Sequence, residues 1–210
     1  MKLNTIPWRK IICYAIYILL IPAIQVTLSP VLSLRGQPAD IMLVFVVLTG
    51  FLYGFTDGVV VGLLMGFMRD LLAGTIILGS GGQVSISFGI GMLVLFLGGV
   101  FGAVFFEGRT NRNFLLGFFA VVSFTLLYKI FGIGIIYMWE NLMTDVSQHM
   151  NIRNIIVDSI LTTLLINAVC AIPVFFLLRY VGPVRYTNKN DRDKNNKELT
   201  YGDTGKWLTI

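Results

Sequence analysis

From Ala39 to Leu78 the chain is almost continuously apolar, and Asp57 stands near the middle of the run. At 1.5 Å per residue a single helix of that length would far overshoot a hydrocarbon core of about 30 Å, which about 20 residues already cross. The run must therefore double back, and Asp57 marks the expected turn. Two membrane helices joined in a tight hairpin are the fixed point round which the rest of the chain has to pack.

Along this hairpin small residues recur at every fourth position: Gly50, Gly54, Gly58, Gly62, Gly66, then Asp70 in the same register, then Gly74. Each glycine in a soluble helix would cost about 0.5 to 1 kcal/mol relative to alanine. In lipid, small residues four apart instead cut a groove that lets another backbone approach closely. Divided at Asp57, the ladder becomes two surfaces, with Gly54 closing the first helix and Gly58, Gly62, Gly66 and Asp70 lying on the second. These five residues are the candidate positions for helix packing or partner binding. The two uses separate on one substitution: Gly62→Leu unfolds the protein if the groove packs internally, and removes a partner without unfolding it if the groove faces outward.

The whole chain agrees with a membrane protein. It has 210 residues, 56% hydrophobic and 13% charged, and a mean hydropathy of +0.80, from which a soluble surface cannot be built. The reading is an all-α integral membrane protein with six transmembrane helices at about 10–28, 39–56, 58–78, 84–106, 114–138 and 153–181. With both termini inside, Lys2, Arg9, Lys10, Arg109, Arg112 and every cation from Arg179 onward are cytoplasmic, against Arg35, Arg69 and Arg153 outside, as the retention of positive charge requires. The first apolar run is too long for a signal peptide and no cleavage pattern follows it, so it is expected to stay as an anchor. Cys13 and Cys170 fall inside helices and read as small buried hydrophobes.

Between the last two crossings, Trp139, Leu142, Met143, Val146 and Met150 recur at helical spacing opposite Glu140, Asp145, Gln148 and His149, the pattern of an interfacial helix over 139–152. Gly79-Ser80-Gly81-Gly82 reads as a turn. Residues 183–210 form a polar tail too poor in apolar surface to fold alone and are expected to be disordered and cytoplasmic. The net charge of +5 is explained by the inside bias and contact with membrane lipids, and no nucleic-acid module is present.

Catalysis finds little footing. The single histidine, His149, excludes the two-histidine helix of a zinc protease, and there is no Gly-x-Ser-x-Gly elbow, Cys/His pair or phosphate-cradling loop. An aspartyl protease would have to use Asp70 and Asp158, the one available pair of carboxylates at depth. No metal or cofactor is expected. Counted from the ends of their helices at 1.5 Å per residue, Asp70, Lys129 and Asp158 reach about the same depth in the outer half of the bundle. Unpaired charges there are costly, so the expectation is an intramembrane charge cluster in which Lys129 pairs with Asp70, Asp158 or both. Arg69, about 100° round the helix from Asp70, is expected to snorkel outward.

Two stretches carry a resemblance. Pro38-Ala39-Asp40-Ile41, an apolar run, and then Gly58-x3-Gly62-Leu63-Leu64-Met65-Gly66-Phe67-Met68-Arg69-Asp70-Leu71-Leu72 are similar to the core signature of the rod-shape-determining MreD family, with Ala39 intervening where the family joins Pro to Asp. The resemblance implies a non-enzymatic scaffold subunit of the bacterial elongation complex in the cytoplasmic membrane. Its implied partners are MreC, MreB filaments and the elongation-specific peptidoglycan synthases. The family's helix arrangement is similar to that of the substrate-binding subunits of energy-coupling-factor vitamin transporters, which makes such a subunit the alternative. Against that alternative, the first helix has Ala15 and Ala23 separated by Leu19 in place of an Ala-x3-Ala docking patch.

Overall fold

A computed structural model describes residues 8–28, 30–72, 76–78, 84–86, 89–104, 113–143 and 159–183. They form helices α1 (Trp8–Leu28), α2 (Ile41–Tyr53), α3 (Phe55–Leu72), α4 (Ile90–Val104), α5 (Phe114–Met143) and α6 (Thr162–Val181). Two small antiparallel hairpins interrupt them: β1 (Ser33–Leu34) with β2 (Gln37–Pro38), and β3 (Ile76–Leu78) with β4 (Val84–Ile86). Three helical stretches, Trp8–Leu28, Phe114–Ile135 and Ser159–Val181, are long and apolar enough to cross a membrane.

α2 is the centre of the bundle. Every residue from Ile41 to Leu52 is buried, and a helix apolar on all sides belongs inside other helices. Its 13 residues span only about 20 Å, short for a lipid-facing crossing but ample for a core surrounded by protein. Phe45, Leu48 and Phe51 from α2 join Ile21 of α1, Met65 of α3, Leu95 of α4, and Phe175 and Leu178 of α6 in one core.

α3 runs antiparallel to α2, and the turn between them is a single residue, Gly54, at φ 98°. The break therefore falls three residues before Asp57, because only glycine takes this backbone conformation without strain. Asp57 instead occupies the first turn of α3, where a negative charge suits the helix dipole. Gly54 is thus the turn residue itself, just beyond the end of α2, and not the last rung of a helix.

The remaining glycines meet α4. A methyl group on Gly62 would lie 2.6 Å from the carbonyl oxygen of Leu95, and one on Gly58 would lie 2.6 Å from the carbonyl oxygen of Gly99. Gly66 abuts the backbone of Gly91 and Met92, and Gly50 that of Gly99, while Gly102 of α4 meets the backbone of Val47. α4 carries its own small residues: Gly91 and Gly99 face α3, Gly102 faces α2, and Gly98 sits against Phe124 of α5 and Val47 of α2. In lipid the apolar side chains gain little by leaving their solvent, so this backbone approach is what holds α3 and α4 together.

The ends of the second hairpin differ from the sequence reading. The predicted third crossing ran to residue 78 and the fourth began at 84, whereas α3 stops at Leu72, α4 begins at Ile90, and the intervening Ile76–Leu78 and Val84–Ile86 pair as strands. β-branched Ile76, Ile77, Val84 and Ile86 favour the extended state. α5 continues unbroken to Met143, so Trp139 to Met143 extend that helix and do not begin a separate one. The rest of the expected interfacial helix with His149, the Gly79–Gly82 turn, Gly74, Asp158 and the tail from 184 lie outside the described residues.

Candidate functional site

The N-terminus of α2 is buried in the bundle, and its backbone groups need partners there. The side chains of Asp40 itself, Gln25 and Asn167 supply them, and Thr125 and Arg69 back these up. Asp40 caps its own helix through Oδ1, accepting from the Leu43 amide at 3.1 Å. Gln25 of α1 reaches across with both ends of its amide: Nε2 donates to the Ala39 carbonyl and Oε1 accepts from the Ile41 amide, each at 2.7 Å. The Asp40 amide donates to Oδ1 of Asn167 on α6 at 2.8 Å, and Asn167 in turn donates to Oγ1 of Thr125 on α5 at 3.4 Å. Arg69 of α3 completes the ring through an ion pair with Oδ2 of Asp40 at 2.9 Å.

Arg69 thus turns inward to Asp40, contrary to the expectation that it snorkels outward, because the half-buried carboxylate offers its charge a partner that water or a headgroup would otherwise have to supply. Its neighbour Asp70 faces the other way. The Asp70 carboxylate, 8% exposed, accepts from the amides of Gly89 at 2.9 Å, Gly91 at 2.8 Å and Met92 at 3.1 Å. It is the N-terminal cap of α4 supplied by a different helix, taking up three otherwise orphaned donors and opposing the positive end of the helix dipole. Two adjacent residues of α3 therefore fasten the starts of α2 and α4 on opposite sides.

The expected charge cluster needs correction on this point. Lys129 lies at the same end of the bundle as Asp70, but the two have separate partners. Lys129 Nζ donates to Oε1 of Gln37 at 3.3 Å and to Oγ of Ser159 at 3.5 Å. Backbone amides outcompete Lys129 for Asp70 because they are fixed by α4 and bring no ion-desolvation cost. Asp158 lies outside the described residues.

Beside Asp40 lies a half-open cavity of about 330 Å³. Arg69, Lys129, Tyr128, Gln37, Thr163 and Asn167 supply polar wall, and Pro22, Val26, Met42 and Leu72 supply apolar wall. The β1–β2 hairpin places Gln37 there: Arg35 and Gly36 at its tip both have positive φ, 50° and 77°, so the two-residue turn reverses the chain back toward α5 and α6. Gln25, Gln37, Thr163 and Asn167 had no part in the sequence reading of the site. Their signal was present all the same, since glutamine and asparagine within or beside apolar helices mark interhelical hydrogen bonds.

The opposite end of α2 and α3 is tied more simply. Asp57 forms an ion pair with Lys10 at 2.6 Å and accepts from Tyr14 Oη at 2.8 Å, while Tyr53 donates to the Leu178 carbonyl and Tyr17 to the Val181 carbonyl. Among the described residues no three of His, Cys, Asp and Glu come together as metal ligands would. No family model, curated protein or solved structure matches this chain.

Proposed function

We propose that this protein is a non-enzymatic scaffold of the bacterial elongation complex, a six-span subunit of the cytoplasmic membrane with both termini inside, of the kind the MreD family provides. One observation supports the reading above others. Asp40 and Arg69, which stand in the two halves of the motif that carries the resemblance, meet in an ion pair at 2.9 Å, so the two stretches work as one structural unit. Around that unit the glycine faces of α3 and α4 are packed against each other. Contacts with MreC, MreB and the peptidoglycan synthases then fall to the outward faces of the bundle and to its ends.

With the proposed topology, the Asp40 end faces the cell exterior and the Lys10–Asp57 end faces the cytoplasm. The scaffold is held rigid at both ends by charge and along its length by glycine contacts, and its work is to present surfaces in fixed register. Depletion from a rod-shaped host should turn rods into spheres, with rescue by the wild-type chain. Retention of rod shape together with loss of uptake of one vitamin would overturn the proposal. That second outcome belongs to the alternative, a substrate-binding subunit of an energy-coupling-factor transporter, which is favoured by the polar cavity beside Asp40.

A further inference from the structure

We infer that the cavity beside Asp40 is a binding site for an oxyanion group, carboxylate or phosphate, carried on a small apolar or uncharged body. The charge inventory of its wall carries the inference. Arg69 and Lys129 are cationic, and among the described residues Asp40 is the one carboxylate lining it. Both Asp40 oxygens are engaged, one by Arg69 at 2.9 Å and the other by the Leu43 amide at 3.1 Å. Lys129 has no carboxylate partner among the described residues, only the neutral oxygens of Gln37 at 3.3 Å and Ser159 at 3.5 Å, both long for an ammonium donor.

An ammonium group at membrane depth is costly without a counter-ion, and such residues commonly mark a ligand site. A bound oxyanion would balance Lys129, leave the Arg69–Asp40 pair intact, and find a further hydroxyl donor on Tyr128 in the same wall, the Thr163 hydroxyl being already spent on the Ser159 carbonyl at 2.7 Å. Pro22, Val26 and Met42 would pack its body. The volume of about 330 Å³ lies at the lower end of small-molecule pockets, which sets the size. The same chemistry is offered by the headgroup of an anionic lipid and by a free organic anion. The inference holds for a scaffold and for a transport subunit alike, so it can fail without the proposed function failing.

The test is thermal unfolding and equilibrium binding of the full chain in neutral detergent with three probes: dihexanoyl phosphatidylglycerol, glycerol 1-phosphate and butyrate, with dihexanoyl phosphatidylcholine as the zwitterionic control. At least one anionic probe should stabilise the wild type where the control does not. Lys129→Gln should weaken its binding by about tenfold or more, as loss of a charge-assisted contact implies. Lys129→Arg should restore it, and Arg179→Gln at the other end should leave it unchanged. Response to the lipid alone assigns a headgroup, and response to either soluble anion assigns a free ligand. Absence of response to all three anions, or equal binding by Lys129→Gln, overturns the inference. If Lys129→Gln fails to fold, the wild type decides through salt: probe affinity that does not fall with rising ionic strength overturns it equally.

Discussion

Replacing Asp70 by alanine removes the cap of α4 and nothing else of comparable size. Three amide donors, at 2.9, 2.8 and 3.1 Å from the carboxylate, lose their acceptor at a position only 8% exposed. A buried donor left without a partner costs about 1 to 3 kcal/mol, and interhelical polar contacts in membranes fall toward the lower part of that range. Allowing about 1 to 2 kcal/mol for each donor, Asp70→Ala should destabilise the fold by about 3 to 6 kcal/mol. Asp70→Asn keeps an acceptor oxygen but loses the charge opposite the helix dipole, so its cost should be about half as large. The assay is reversible unfolding in mixed detergent micelles, followed by tryptophan fluorescence and helical circular dichroism. Destabilisation by Asp70→Ala of less than about 1 kcal/mol would refute the capping account. A second check uses Lys129→Gln: its effect should add to that of Asp70→Ala within about 0.5 kcal/mol, and a larger coupling would restore the discarded Asp70–Lys129 pair.

Three further outcomes are expected. Gly62→Leu should abolish folded protein in detergent chromatography, and Gly58→Ala should lower stability by about 1 to 3 kcal/mol through overpacking against Gly99, whereas a folded and stable Gly62→Leu would contradict internal packing. Asp40→Asn and Arg69→Gln should each destabilise, and their double-mutant cycle should give a coupling of about 0.5 to 3 kcal/mol; additivity would mean that the ion pair contributes nothing. Asn167→Leu, at a position 1% exposed, should cost about 1 to 3 kcal/mol because it strands the Asp40 amide, and stability equal to wild type would show that another acceptor replaces it.

The helices were legible in the sequence because length and apolarity decide them, and the hairpin of α2 and α3 followed from the Ala39–Leu78 run alone. The turn lies at Gly54 and not at Asp57, since a charge stands out in the sequence while a positive-φ glycine inside a four-residue glycine repeat does not. The candidate role of Asp70 was visible as an expensive carboxylate at depth, but its partner was not. Backbone amides of a later helix leave no mark in side-chain chemistry, so the sequence offered Lys129 in their place. The glycines of α3 announced a close neighbour, and the matching Gly91 and Gly99 of α4 named it only once α4 was known to run antiparallel beside them. The network round Asp40 was hidden for another reason: Gln25, Arg69 and Asn167 come from three helices that converge on one end of a fourth, and no spacing along the chain encodes that convergence.

The proposed scaffold role is tested most directly by what the protein carries with it out of the membrane. A tagged chain purified from its own cells in mild detergent, with Asp40→Asn as the comparison at matched protein level, should bring down MreC and elongation-specific peptidoglycan synthases, and the substitution should reduce their yield. Recovery of an ATPase module in stoichiometric amount, with no cell-wall protein beside it, would contradict the scaffold account and make the chain a transport subunit.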